Sequence, residues 1–219
     1  TLFWAGNFIV GKVATLFEIP PFTLNFYRWL IAFFILLPFT YKKIFEGLEE
    51  IKNNIIPLSI MGFTSISVFN SVVYYSLNFT QVLNGVLMIS TIPVLIIFFS
   101  SCFTNEKIKF SQVLGVITSL FGVLVIITKF QFDKLLNLNL NKGDLWILVA
   151  MISWATYSIM VKEKKINLSP FALLETLIFI GLVFLIPFYS FELYSAQYLN
   201  INIPVILTIG YVVFFAGIG

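Results

Sequence analysis

The chain has 219 residues, of which 59% are hydrophobic and 11% charged, with a mean hydropathy of +1.00. A soluble domain of this size could not enclose so much apolar surface. The net charge of +3 and the lack of histidine argue against a nucleic-acid patch and remove the usual proton relay and metal ligand, while the single cysteine, Cys102, excludes an internal disulfide framework.

Charges are absent from residues 53–105, 110–128, 145–161 and 193–219. A helix needs about 20 apolar residues to cross the hydrocarbon core, and the runs are continuously apolar rather than alternating, which selects helices over a barrel. In chain order the predicted spans are 1–17, then 22–41 entered through Pro20-Pro21, 55–76, 82–103 with Pro93 near its middle, 110–128, 144–161, 170–191 and 203–219. The charged stretch 42–52 is expected as a loop with at most a short amphipathic turn.

The second half repeats the first. Trp4-Ala5 and Trp154-Ala155 lie 150 positions apart, while Pro21-Phe22 and Pro170-Phe171, like Pro38-Phe39 and Pro187-Phe188, lie 149 apart. Pro57 and Gly62 align more loosely with Pro204 and Gly210. A near-constant offset through matching apolar segments indicates a duplicated bundle, an arrangement that in membranes favours transport with the substrate site between the halves. Five spans precede the repeat point, and an odd number inserts the two halves in opposite orientation. With a cytoplasmic N-terminus, Lys42, Lys43, Lys52, Lys107, Lys109, Lys162, Lys164 and Lys165 lie inside and only Lys129, Lys134 and Lys142 outside, as the positive-inside rule requires.

Several motifs carry a family resemblance. The opening Leu2-Phe3-Trp4-Ala5-Gly6-Asn7-Phe8, the Arg28-Trp29-Leu30-Ile31-Ala32 segment, Tyr75-Ser76-Leu77 through Leu83-Asn84-Gly85 to Pro93, Glu106, and Gly115 with Gly122 resemble, in that order, the helix motifs of EamA-type drug/metabolite transporters. The usual Ala-rich start of the fourth helix reads Asn84-Gly85-Val86 here. The resemblance implies an all-α membrane protein of two inverted five-helix repeats, a ten-helix bundle of which this chain would cover about eight helices. Residues 1–128 would form the first repeat with a trimmed N-terminus, 129–142 an extracytoplasmic connecting loop, and 143–219 helices six to eight of a second repeat lacking its last two.

Trp4, Asn7, Phe8 and Gly11 share one helix face, and Trp154, Tyr157 and Ser158 repeat it in the second half. Two faces related by pseudo-symmetry are where a central cavity would be lined, with plain helix packing as the rival reading. Asn70 and Tyr74, four residues apart, and Asn84 place further polar groups at helix depth, where each needs a partner or a wet cavity. The candidate substrate-binding residues are therefore Trp4, Asn7, Asn70, Tyr74, Asn84, Trp154 and Tyr157. Arg28 lies seven residues past Pro21, roughly 10 Å into its helix, and is a candidate substrate charge or a structural cap. Glu175, at a similar place in the second half, is a candidate coupling carboxylate or a partner for the neighbouring lysines. Lys12 is expected near the outer interface, and Glu18 and Asp144 as interfacial or capping acids. Pro93 is expected to kink its helix, and Gly62, Gly85, Gly115, Gly122, Gly181 and Gly210 to permit close helix approach.

No phosphate-binding loop, nucleophile–base set or metal cluster is present, so neither an enzyme nor a cofactor is expected. The expected function is secondary transport of small metabolites or amphipathic organic compounds, amino acids among them, by alternating access, with export implied by the resemblance alone. The alternative is a non-transporting receptor or assembly subunit. The expected partners are a small-molecule substrate and the lipid bilayer, with protons as candidate coupling ions, in a plasma or bacterial inner membrane.

Overall fold

The computed structural model describes residues 2–103, 108–128, 141–195, 199 and 201–218. The expected connecting loop, for all but its last two residues, and Glu106 lie outside this set, as does the side chain of Trp4. The described residues are helical throughout their ordered elements: α1 (Leu2–Leu16), α2 (Pro21–Glu46), α3 (Leu48–Asn53), α4 (Ile55–Ser76), α5 (Val82–Phe103), α6 (Phe110–Thr128), α7 (Lys142–Glu163), α8 (Pro170–Tyr194) and α9 (Ile203–Val213). Five of these, α2, α4, α5, α7 and α8, are long and apolar enough to cross a membrane. Phe39 and Phe103 are 79% and 80% exposed, a surface that belongs in lipid rather than water.

Two expectations are corrected, one in α2–α3 and one in α5. Residues 42–52 are not a loop: α2 runs on to Glu46 and α3 follows after Gly47. Lys, Glu and Leu are strong helix formers, and nothing in this segment breaks the helix before Gly47, whose N–H still bonds back to Lys43 and Ile44. The kink expected at Pro93 is a break at Ser90–Thr91 between two α-helical halves. Proline cannot donate to the carbonyl one turn earlier, and the Ser90 and Thr91 hydroxyls turn back onto Leu87 and Met88 carbonyls at 2.5 and 2.6 Å.

The helix ends are closed by side chains. Pro20 caps α2 without a side-chain hydrogen bond, so the amides of Phe22 and Thr23 need another acceptor. Glu192, from the far end of α8, supplies both carboxylate oxygens at 3.1 and 2.7 Å. Asn141 and Asp144 form a reciprocal capping box on α7, so Asp144 is a capping residue as expected. Lys12 donates to the carbonyls of Leu77 and Thr80 at 2.6 and 3.1 Å, placing a cation at the C-terminal end of α4, where the helix dipole favours it.

The most extensive helix contacts are α4 with α7 and α2 along α8, with α4 also crossing α8. The α4–α8 crossing is tight because Gly62 and Gly181 face each other: a Cβ on Gly181 would overlap Ile66 and stand 3.0 Å from the Gly62 carbonyl. Gly85 similarly seats the Phe8 ring, whereas Gly115, Gly122 and Gly210 face open space among the described residues. The core divides into two clusters. One gathers Phe8, Phe69, Tyr74 and Ile147 toward the end where α4 stops and α7 begins, the other Trp29, Leu58, Met61 and Ile178 toward the end where α4 starts.

Candidate functional site

A cavity of about 190 Å³ opens where the two core clusters meet. Its walls come from α1 (Asn7, Phe8), α2 (Arg28, Trp29), α4 (Ser65, Ile66, Phe69, Asn70), α7 (Trp154, Tyr157), α8 (Leu174, Leu177) and the turn after α9 (Ala216, Gly217). Helices from both halves of the sequence thus surround one space.

Two of these walls are irregular. Phe63–Phe69 within α4 and Phe214–Ile218 after α9 are π-helical, and π segments leave backbone carbonyls without a partner at the regular spacing. Side chains from neighbouring helices take them up. Asn25 donates to Ile66 O and Ser153 to Thr64 O, each at 2.8 Å; Arg28 donates to Ala216 O in the second π segment. The two π segments begin 151 positions apart, close to the offset of the sequence repeat.

Arg28 is 3% exposed. Its Nη1 donates to Asn70 Oδ1 and to Tyr74 Oη, each at 2.8 Å, and Tyr74 Oη in turn donates to Asn7 Oδ1 at 2.7 Å. The guanidinium lies over the Trp29 ring at 4.7 Å from its centroid, a contact that favours a cation. The chain Arg28–Tyr74–Asn7 aligns each donor away from the positive charge, so it spreads that charge toward α1. Across the cavity, Trp154 stacks obliquely on Phe69 and on Tyr157, with centroid distances of 4.6 and 5.1 Å. The result is a small aromatic space with one cation and several amides and hydroxyls at its edge.

The sequence-derived candidates are distributed as follows. Asn7, Arg28, Asn70, Trp154 and Tyr157 line this cavity, and Tyr74 stands behind it, tying Arg28 to Asn7. Trp4 sits in α1 four residues above Phe8, with its side chain outside the described set. Asn84 is elsewhere: it donates to Thr80 Oγ1 at 3.2 Å and Asp144 Oδ1 at 3.4 Å, in the polar cluster that closes the ends of α4 and α7. Glu175 is fully buried, but it lines a separate apolar pocket of about 360 Å³ between α2 and α8, beside Phe33, Leu37 and Phe179. Among the described residues neither of its oxygens has a hydrogen-bond partner, so Glu175 bonds neither Arg28 nor the neighbouring Lys162, Lys164 and Lys165. The sequence reading missed Ser65, Trp29 and the Ala216 carbonyl. Hydropathy carries no sign of a π segment, and only the fold shows which carbonyls it releases. It also missed Glu192, although Pro20-Pro21, with no capping side chain of its own, signals that a distant acceptor is needed.

The sequence model of the EamA-like transporter family matches residues 1–128 and 141–219. The chain belongs to the EamA-like transporter family. Among its relatives, the uncharacterized transporter YetK of Bacillus subtilis is 28% identical over 96% of this chain and 63% of the relative. YyaM of the same organism, also named an uncharacterized transporter, is 26% identical over 79% of this chain and 57% of its own length. An uncharacterized transporter of Archaeoglobus fulgidus is 26% identical over 85% and 63% respectively. This EamA-like chain therefore spans about 57–63% of these curated relatives. No solved structure matches it significantly. Family and apolar helices together make this EamA-like chain part of a multi-pass membrane protein.

Proposed function

We propose that this chain forms the substrate path of a secondary transporter that moves small metabolites or amphipathic organic compounds by alternating access, in the direction of export. The observation that carries the reading is the shared cavity, walled by α1, α2 and α4 from one half of the sequence and α7, α8 and the turn after α9 from the other. A site held between two halves is exposed to one side or the other when they rock, without moving itself. The match of the family to two separate stretches, 1–128 and 141–219, supports treating them as two repeats with an extracytoplasmic connection between. The π segments, one in each stretch and both at the cavity wall, support them as the elements that yield during rocking.

Within this reading Asn7, Asn70, Trp154 and Tyr157 contact substrate, joined by Trp4 from the same face of α1, and Tyr74 positions Arg28 and Asn7. Asn84 is assigned to the helix-end cluster instead. The test compares metabolites inside and outside cells that express the full-length protein or its Trp154→Ala variant at equal membrane levels. A compound that moves between the pools with the wild type alone supports the reading and shows the direction. Binding of small molecules without any movement across a sealed bilayer favours a receptor.

A further inference from the structure

We propose that the substrate carries a carboxylate and that Arg28 binds it in the central cavity; this rests on the transport reading above. Among the described residues that line the cavity, Arg28 carries the sole formal charge. Its acceptors are an amide, a phenol and a backbone carbonyl, all neutral. Among the described residues the buried acids are placed elsewhere: Glu192 caps α2, Asp144 bonds Thr80 and Asn141, and Glu175 lines the other pocket. A charge buried without a counter-ion costs several kcal/mol, and neutral hydrogen bonds recover part of that. An anion entering the cavity supplies the missing partner.

The free geometry at Arg28 specifies which anion. Among the described residues, buried Nε has no hydrogen-bond partner and the adjacent Nη2 has the Ala216 carbonyl alone. Nε and one Nη form the edge of a guanidinium that receives a planar two-oxygen group in parallel hydrogen bonds. Ala216 lies in a π-helical turn. A carboxylate therefore displaces Ala216 O from Nη2 and takes Nε as its second donor. One cation matches one negative charge, so a monocarboxylate fits, whereas a phosphate ester brings roughly a second charge with nothing to meet it. The remaining walls, Trp29, Phe69, Trp154 and Tyr157, receive a compact apolar or aromatic body.

The experiment uses the full-length protein in nanodiscs and in proteoliposomes. Benzoate, phenylacetate and hexanoate are each compared with their primary amides, which keep the shape and lose the charge. At least one acid is expected to raise the unfolding temperature, to bind at least about tenfold tighter than its amide, and to be transported. Arg28→Lys is expected to weaken acid binding more than amide binding, narrowing the acid–amide difference. Because the acid–amide comparison is made on the wild type, it stands even if variants at position 28 fold poorly. Amides that bind as tightly as the acids, amines as the sole ligands, or neutral solutes carried at wild-type rate by Arg28→Lys while no acid binds would overturn the proposal. Acids that bind but never cross the bilayer would uphold the anion site and overturn the transport reading.

Discussion

Arg28 in α2 donates to the backbone carbonyl of Ala216 in the turn after α9, across 188 positions of sequence. The bond joins the most buried cation of the first half to the π-helical wall of the second.

Tyr74 is the link between that cation and α1. Tyr74→Phe keeps the ring and removes the hydroxyl, leaving Nη1 with Asn70 alone and Asn7 Oδ1 without its donor. The expected loss is about 1–3 kcal/mol, measured by thermal unfolding of purified protein. In the Tyr74→Phe background, Asn7→Ala should cost less than it does alone, since the pair interaction is already gone. Additive effects would show that the pair is not coupled.

Glu192 acts at a distance on the start of α2. Glu192→Ala leaves the amides of Phe22 and Thr23 and the Thr23 hydroxyl without their acceptor. A loss of about 1–2 kcal/mol is expected, with Glu192→Gln intermediate because one acceptor oxygen survives. Hydrogen exchange of the first turn of α2 checks this directly, by faster exchange in Glu192→Ala.

Gly181 and Gly115 make a contrast within one protein. Gly181→Ala drives a methyl group into Ile66 at the α4–α8 crossing, and overpacking of this kind costs roughly 1–3 kcal/mol. It also strains the bond from Ser67 to the Gly181 carbonyl, now 2.7 Å. Gly115→Ala meets open space and is expected to leave the unfolding temperature unchanged. Equal effects at the two positions would contradict the packing described here.

Glu175 is a buried acid with no hydrogen-bond partner and apolar neighbours. Replacing an unpartnered buried polar group by a hydrocarbon of similar size removes a desolvation cost of roughly 1–3 kcal/mol. Glu175→Leu is therefore expected to fold and to unfold at a higher temperature than the wild type. A variant that gains stability but loses proton-dependent transport would assign Glu175 to coupling; unchanged transport and pH dependence would remove it from the mechanism.

The helical spans followed from composition and charge, because a bilayer demands long uncharged runs whatever their neighbours do. Within a few residues the predicted 55–76, 82–103, 110–128 and 170–191 are α4, α5, α6 and α8. The candidates Asn7, Asn70, Trp154 and Tyr157 were found by helical spacing, since residues on one stripe of a helix face the same neighbour. Asn84 was named for its polarity at helix depth and bonds into the helix-end cluster instead, because a polar residue near a helix start serves a cap as readily as a cavity, and only the position of Asp144 on α7 separates the two uses.

What tertiary structure alone decided is partnership. Nothing local to Glu192 points to Pro20-Pro21, and nothing local to Arg28 points to Ala216. Each pairing spans more than 160 positions and exists because helices packed side by side bring their ends and irregular turns together. A membrane interior leaves no water to satisfy a stray amide or charge, so these long-range hydrogen bonds are required. Which residues meet to supply them depends on helix order and crossing, which a linear pattern of hydrophobicity does not encode.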